Sequence, residues 1–212
     1  MSHTLLYGGT FDPIHHGHLI TCQRARELLG ADQVLLIPAA VSPHKTAHPA
    51  TSAEHRLAML RLAVANVPQF AVDPRELSRS GPSYTADTLD ELRRDHSGTC
   101  FTLLLGADQL AKFHAWVRIH DILAHGIAIL PRPSSPLGIS FAAICEHLGP
   151  DVAARLERAV LPTPLIEIAA TDIRQRVQQN LPIDYLVPAA VAAYIQSHHL
   201  YGGIGGGGMV GF

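Results

Sequence analysis

Two histidines near the start of the chain are spaced so that both could contact the same phosphate group. His15 and His18 lie three residues apart, directly after the glycine-rich string GGTFDP. A glycine pair lets the backbone turn sharply and approach a ligand closely. The N–H groups and the dipole at the start of a helix attract anions. A short apolar strand precedes this string and a helical pattern follows it, so the segment predicts a nucleotide triphosphate site.

A metal site is the alternative interpretation of the histidine pair. Zinc requires three or four ligands, and no further cysteine or histidine stands at a spacing that suggests them. Single histidines are most often ordinary surface or core residues, and the chain has 14 of them. Their position directly after GGTFDP nevertheless favours phosphate binding.

The string from Gly8 to His18 resembles the signature of the nucleotidylyltransferase superfamily, whose HxGH pattern is present at residues 15–18. The longer form GGTFDPIHxGH is similar to that of bacterial nicotinate-nucleotide adenylyltransferases. This resemblance implies in-line adenylyl transfer from ATP to nicotinate mononucleotide, which yields nicotinate adenine dinucleotide and pyrophosphate without a covalent intermediate. It implies that His15, His18, Lys45 and Arg174 stabilise charge on the phosphates, and that Mg²⁺ is held mainly by ATP and water. Another phosphate acceptor, such as phosphopantetheine, and a non-catalytic nucleotide sensor are the alternatives.

Strand and helix patterns alternate along the chain. Continuous apolar strands separated by helices predict a parallel sheet with helices on both faces, an α/β fold of the Rossmann-like, doubly wound nucleotidylyltransferase type. The predicted strands are 5–7, 34–37, Phe70–Val72, 101–105, 127–130 and 165–168, and the predicted helices are 19–29, 51–64, 86–94, 171–179 and 188–198. Thr51 and Glu54 predict a capping box, and the region 134–162 is expected to be helical and peripheral.

Several polar or glycine residues follow predicted strands. In parallel sheets ligands bind at the carboxyl ends of the strands, so the glycine turn, the loop with Lys45, Gly106 and Arg132 should lie together. For Lys45 and Arg132 alone, an ordinary solvated side chain is the alternative. The resemblance assigns ATP or phosphate contacts to Gly8, Gly9, Thr10, Phe11, Gly17, Gly106, Asp108, Arg132, Ala170 and Thr171.

The segment 168–174 resembles a second superfamily signature, ISxTxIR. Thr171 is expected to cap a helix whose N–H end, with Arg174, binds the departing phosphates. Ala169 departs from the pattern, because the family usually has serine there. The missing hydroxyl would weaken one contact by about 1.5–3 kcal/mol and leaves the backbone N–H in place.

A second helix start is suited to a carboxylate. Ser83, Tyr84 and Thr85 resemble the family's nicotinate-binding segment, and Thr85 is also a candidate helix cap. Trp116 follows Gly106-Ala107-Asp108 and is predicted to lie on the next helical stretch. The resemblance implies that this tryptophan stacks on the pyridine ring, whereas core packing is the usual role of a single tryptophan.

Composition limits the remaining possibilities. The 212 residues carry 16 Lys and Arg against 18 Asp and Glu, a net charge of −2, which disfavours a nucleic-acid surface. Three widely separated cysteines predict free thiols, and no signal peptide or membrane span is indicated. We expect one domain over 1–201, a disordered glycine-rich tail over 202–212, a cytoplasmic location, and a monomer or homo-oligomer.

Overall fold

The structure, a computed structural model, describes residues 2–40, 51–132 and 140–202. Within these residues five parallel strands form one sheet in the order β3-β2-β1-β4-β5. The strands are β1 (Ser2–Gly9), β2 (Gln33–Pro38), β3 (Phe70–Val72), β4 (Thr99–Gly106) and β5 (Gly126–Leu130). The helices are α1 (His16–Leu29), α2 (Ala53–Val64), α3 (Thr85–Asp95), α4 (Leu110–Phe113), α5 (Ile119–Leu123), α6 (Ala142–Leu148), α7 (Pro150–Arg158), α8 (Ala170–Gln178) and α9 (Ala189–Ser197).

Helices cover both faces of the sheet, and each face has its own apolar core. On one face α1, α2, α8 and α9 pack against the strands through residues such as Cys22, Leu60 and Ile173. On the other face α3 to α7 do the same through residues such as Leu89 and Phe113. Burial on both sides explains why the strands are continuous apolar runs. The predicted doubly wound parallel sheet is confirmed.

The order of the strands reverses between β1 and β4. From β1 the chain proceeds outward to β2 and β3, and then returns to add β4 and β5 on the other side. The carboxyl ends of β1 and β4 therefore flank the switch point, where open α/β sheets bind ligands. Gly8 and Gly9 end β1 and Gly106 ends β4, so backbone at this point can be approached closely.

The strand predicted at 165–168 is wrong. Of the described segment 159–168, only Val160 pairs with the sheet, through a parallel bridge to Ile129 of β5. Pro162 and Pro164 then remove two of the N–H donors that a further strand would need. Leu165 is 63% exposed, because the chain leaves the sheet edge before reaching it.

Three predicted helix caps are also wrong by one or two residues. Ser52, not Thr51, caps α2, and its Oγ accepts a hydrogen bond from the backbone N of His55 (3.4 Å). Thr85 is the first residue of α3, which follows Tyr84. Thr171 is the second residue of α8, which follows Ala169, and neither α3 nor α8 has a side-chain cap.

The predicted helical character of region 134–162 is confirmed where the structure describes it, by α6 and α7. Gly30 ends α1 in the left-handed conformation, with φ of 60°, as expected for a glycine at this position. In the described part of the chain, no helix is both long and apolar enough to cross a membrane.

Candidate active site

A cavity of about 1130 Å³ opens at the carboxyl edge of the sheet, at the switch point. It brings together residues that are up to 194 positions apart in the sequence, from Tyr7 to Tyr201. Of the site residues predicted from the sequence, those that line it are Gly8, Gly9, Thr10, Phe11, His18, Ser83, Tyr84, Thr85, Gly106, Asp108, Trp116, Arg132, Ala170, Thr171 and Arg174. His15 and Gly17 lie behind this lining, and Lys45 lies outside the described residues.

The two histidines form a stacked pair in which one ring faces the cavity and the other supports it. The ring of His15 lies 3.6 Å from that of His18, at an interplanar angle of 23°. His15 is 2% exposed. Burial, together with the positive charges of Arg132 and His16, lowers the pKa of His15 to about 3. His15 is therefore neutral near pH 7, and its ring fixes the position of His18.

Gly17 is needed for this stacking. A Cβ atom at position 17 would lie 3.0 Å from Nδ1 of His15 and 3.1 Å from its Cε1. Such contacts are closer than side chains normally allow. The glycine of the HxGH pattern thus makes room for the His15 ring within the first turn of α1.

The loop after β1 is held in a strained conformation from two sides. Phe11 has a φ of 51°, in the left-handed region that non-glycine residues rarely adopt. Arg56 of α2 donates from Nη1 to the carbonyl oxygen of Thr10 (2.8 Å). Arg174 of α8 donates from Nη1 to the carbonyl oxygen of Asp12 (2.7 Å). Two guanidinium groups therefore fix the carbonyls on either side of Phe11.

Asp12 links this loop to the end of the described chain. The hydroxyl of Tyr201 donates to Oδ1 of Asp12 (2.7 Å), and the backbone N of Thr51 donates to Oδ2 (3.0 Å). Burial and the adjacent Asp12 carboxylate raise the pKa of the Tyr201 phenol, so this group stays a donor. Tyr201 also lines the cavity. Tyr201 thus packs against the loop after β1 at one side of the cavity.

Arg132 enters the cavity from the end of β5. Its Nη2 donates to the hydroxyl oxygen of Tyr7 (2.6 Å), and its Nε lies 3.7 Å from Oδ1 of Asp108. Burial raises the pKa of the Tyr7 phenol, so Tyr7 is neutral and accepts this hydrogen bond. Gly106 is constrained here as well, since a Cβ atom there would overlap the Asp108 carboxylate. Arg132 is therefore a positioned cation.

The start of α8 supplies backbone donors. The N–H groups in the first turn of a helix lack partners within the helix, and Ala170 and Thr171 of this turn line the cavity. The hydroxyl of Thr171 accepts a hydrogen bond from Nη2 of Arg174 (3.4 Å). The cavity thus meets the N-terminus of α8, a helix start that favours an anion, and the side chain of His18 from the first turn of α1.

The opposite end of the cavity contains the start of α3 and the single tryptophan. Ser83, Tyr84 and Thr85 line it, and Ser83 Oγ accepts a hydrogen bond from the backbone N of Ala40 (3.0 Å). Trp116 lies in the turn after α4 rather than in a helix, and is half-buried. Its ring packs edge-on against Phe113, with centroids 5.1 Å apart. Because Trp116 also lines the cavity, it both packs on the core and offers surface to a ligand.

Sequence reasoning missed several polar residues of the site. Tyr7 directly precedes the glycine-rich string GGTFDP and Asp12 belongs to it, so their positions could have identified them as site residues. No sequence signal indicated the others. The missed residues are Tyr7, Asp12, Arg56, Glu76 and Tyr201, and each is buried or lines the cavity.

The carboxylates at the cavity already have partners within the protein. In the described ranges no group of three or more His, Cys, Asp or Glu side chains could hold a metal by itself. The Asp12 carboxylate is engaged by Tyr201 and Thr51, and the exposed carboxylate of Asp108, which lines the cavity, accepts from Nε2 of Gln109 (2.6 Å) and lies 3.7 Å from Nε of Arg132. Mg²⁺ typically keeps several waters and binds through one or two carboxylates plus substrate phosphates.

Comparison with known proteins agrees with this architecture. Residues 6–176 match the cytidylyltransferase-like family. A probable nicotinate-nucleotide adenylyltransferase of Thermomicrobium roseum is 42% identical over 95% of this chain and 92% of its own length. One of Herpetosiphon aurantiacus is 43% identical over 92% of this chain and 96% of its own length.

A solved structure shows the same fold at low identity. The Plasmodium falciparum nicotinic acid mononucleotide adenylyltransferase, complexed with APC, superposes with a TM-score of 0.74 at 18% identity. The superposition covers 95% of this chain and 98% of that one. From the family match and the two bacterial relatives, the chain belongs to the cytidylyltransferase-like family and, within it, to the nicotinate-nucleotide adenylyltransferases.

Proposed function

We propose that this protein transfers the adenylyl group of ATP to nicotinate mononucleotide, giving nicotinate adenine dinucleotide and pyrophosphate. One observation carries the proposal: a single cavity joins the N-terminus of α8, His18 and basic side chains at one end to the N-terminus of α3 and a tryptophan at the other. Ligand pockets usually measure about 300–1,000 Å³. The cavity of about 1130 Å³ suits two nucleotides bound end to end.

The end of the cavity that contains His18, Arg174 and the start of α8 is called the phosphate end, and the end that contains the start of α3 is called the acceptor end. At the phosphate end, the protein acts by aligning the substrates and stabilising charge. The mononucleotide phosphate attacks the α-phosphorus in line, and negative charge develops on the phosphate oxygens. His18 and Arg174, with the backbone N–H groups at the start of α8, face this charge as preorganised donors. Arg132 lies at the end of β5, where it contacts ATP. Lys45, outside the described residues, remains a predicted phosphate ligand.

His15 takes a supporting role in this proposal. Its neutral ring stacks behind His18 and does not line the cavity. A fixed ring keeps His18 directed at the phosphates throughout the reaction, which avoids reorganisation in the transition state. When bound with ATP, Mg²⁺ would neutralise part of the phosphate charge, with Asp108 as the nearest protein carboxylate available to it.

At the acceptor end, the proposal predicts a preference for the acid over the amide. Backbone N–H groups at the start of α3 donate to either oxygen of a carboxylate, whereas a carboxamide turns its NH₂ group toward one of these donors. That mismatch costs on the order of 1–3 kcal/mol, about ten- to a hundredfold in kcat/KM. Trp116 would stack on both rings alike and leave the ratio unchanged.

The wider assignments belong to the same proposal. We take residues 1–201 as one catalytic domain, whose described C-terminal residue Tyr201 contacts the site directly. A cytoplasmic location suits an enzyme that uses ATP and a mononucleotide. That location, the oligomeric state and the tail over 202–212 remain predictions from the sequence.

The test is a panel of phosphate acceptors with MgATP, scored for pyrophosphate release. Nicotinate mononucleotide should be the best acceptor, followed by its amide, with phosphopantetheine inactive. Equal kcat/KM for the acid and the amide would refute the acid preference. Binding of ATP without turnover of any acceptor would indicate the nucleotide sensor instead.

A variant of His18 tests the phosphate end. His18→Ala should lower kcat by about 10²–10³-fold, as removal of one preorganised donor does in comparable sites. Binding of the mononucleotide should change little. His16→Ala is the matched control, because His16 lies in the same helical turn but does not line the cavity. A His18→Ala variant that keeps most of its turnover would refute the catalytic role of His18.

A further inference from the structure

Glu76 lies where an acidic side chain is unexpected. It lines the cavity at the end that contains Ser83 and Thr85, where we propose that the carboxylate of the substrate binds. A free negative charge there would repel such a substrate. Glu76 is nevertheless 7% exposed, so its carboxyl group is almost completely enclosed by protein. Its contacts must explain how the two carboxylates can be neighbours.

Two hydroxyl groups donate to this carboxyl group. Oγ1 of Thr88 donates to Oε1 of Glu76 over 2.7 Å in a buried contact, and the side chain of Ser83 forms a second hydrogen bond. Arg79 supports the cluster by donating from Nη1 to Oγ1 of Thr88 (3.0 Å). Burial raises the pKa of Glu76, and the two hydroxyls and Arg79 oppose that rise. The charge of Glu76 is thus directed into its own partners and away from the cavity.

This arrangement commits the hydroxyl hydrogens of Ser83 and Thr88 to Glu76. A hydroxyl has one hydrogen to donate, and the hydrogens of Ser83 and Thr88 are both directed at Glu76. Ser83 Oγ in addition accepts from the backbone N of Ala40 (3.0 Å), which ties the end of β2 to the segment before α3. At this end of the cavity, a ligand can still be bound by the backbone N–H groups in the first turn of α3, beside the hydroxyls of Tyr84 and Thr85 in the lining.

We propose that Glu76 is a positioning residue for the acceptor: by holding Ser83 and Thr88, it fixes the first turn of α3 with its backbone N–H groups facing the cavity. The inference rests on the proposed function, because it assumes that the substrate carboxylate binds at this turn. Glu76 does not touch the substrate. It determines acceptor affinity through the helix start that it anchors.

The test compares Glu76→Gln with Glu91→Gln. The glutamine at position 76 keeps one acceptor oxygen but turns an NH₂ group toward the second hydroxyl, which then loses its partner. KM for nicotinate mononucleotide should rise about tenfold, the effect of one hydrogen bond to a charged group, while kcat and KM for ATP stay within about twofold. Glu91 of α3 is the matched control, because its carboxylate pairs with Arg79 of the same cluster but does not line the cavity.

Three outcomes overturn the inference: an unchanged KM for the mononucleotide in Glu76→Gln, an equal rise in KM for ATP, or the same effect in Glu91→Gln. Thermal melting identifies a variant that does not fold. In that case Ser83→Ala is tested instead, because it removes one of the two hydroxyl donors to Glu76. It should raise KM for nicotinate mononucleotide and leave KM for ATP unchanged. The wild type is assayed first: failure to turn over nicotinate mononucleotide would refute the proposed function, whereas a normal wild type with an unaffected Glu76→Gln refutes only the role of Glu76.

Discussion

Substitution of Gly17 by alanine should separate catalysis from stability. In Gly17→Ala the new Cβ would lie 3.0 Å from Nδ1 and 3.1 Å from Cε1 of His15, and 3.5 Å from Cβ of Ile168. The last of these is an ordinary contact, whereas the first two are too short. The His15 ring must therefore move away by a few tenths of an ångström.

His15 has little room for this movement. It is 2% exposed, and its ring already stacks at 3.6 Å on His18. The displacement is therefore passed to His18, the ring that faces the cavity. A misplacement of about 1 Å in an active site costs roughly 10²-fold in rate, so a shift of a few tenths should lower kcat about tenfold.

The effect on stability should be smaller. Overpacking costs about 1–3 kcal/mol, and alanine recovers about 0.5–1 kcal/mol because it is a better helix residue than glycine. The free energy of unfolding should therefore fall by at most about 2.5 kcal/mol. The two opposing effects make a folded but slow enzyme the expected outcome.

Steady-state kinetics and urea unfolding of Gly17→Ala measure the two quantities separately. His16→Ala is the control, because it alters the same turn of α1 without a contact that would move the stacked rings. A wild-type kcat in Gly17→Ala would show that the position of His15 does not control His18. If activity fell only in proportion to the fraction of unfolded protein, this would also show that the position of His15 does not control His18.

Three further changes test other parts of the site. Tyr7→Phe removes the hydroxyl oxygen that accepts from Arg132 (2.6 Å) and should raise KM for ATP about tenfold; the same rise in an Arg132→Ala background would contradict this coupling. Ala169→Ser places a serine at the N-cap of α8, which has no side-chain cap, and should stabilise the fold by about 1 kcal/mol, seen as a Tm higher by about 2–4 °C. A severalfold higher KM for ATP in this variant would show that the segment differs from the family's geometry. His15 has a pKa lowered to about 3, so below about pH 6.5 the unfolded chain binds a proton that the folded chain does not, and stability falls as the pH decreases toward 3. Urea unfolding between pH 6 and pH 4 should show this loss reduced in His15→Asn by up to about 1.4 kcal/mol per pH unit, and parallel pH curves for the two proteins would refute it.

The strands and the glycine turn after β1 could be predicted because their signals are local. A strand buried on both faces needs a continuous apolar run, and the runs at β1, β2, β4 and β5 are bounded by glycine, proline or polar residues. The segment 165–168 has a similar apolar pattern, yet it forms no strand. The difference is tertiary: the chain has already left the sheet edge after Val160, and local sequence does not contain that information.

The helix caps show a second limit of local reasoning. Thr51 and Ser52 are adjacent and both suit a cap, and the choice depends on a distant residue. The backbone N of Thr51 donates to Asp12 (3.0 Å) and its carbonyl accepts from Arg56 (3.0 Å), so Thr51 is committed to the loop after β1. Ser52 is then left to cap α2. Asp12 and Tyr201 likewise meet across 189 positions, beyond the range of any spacing argument.

These distant contacts explain how the phosphate loop can keep a strained backbone. A non-glycine residue in the left-handed region costs about 1–3 kcal/mol, and Phe11 adopts it with a φ of 51°. Hydrogen bonds to charged groups contribute about 1.5–3 kcal/mol each, and Arg56 and Arg174 each donate one to a carbonyl beside Phe11. Together they can offset the strain. The loop is therefore held in shape before ATP arrives, and donors that need no rearrangement are those that stabilise a developing phosphate charge most effectively.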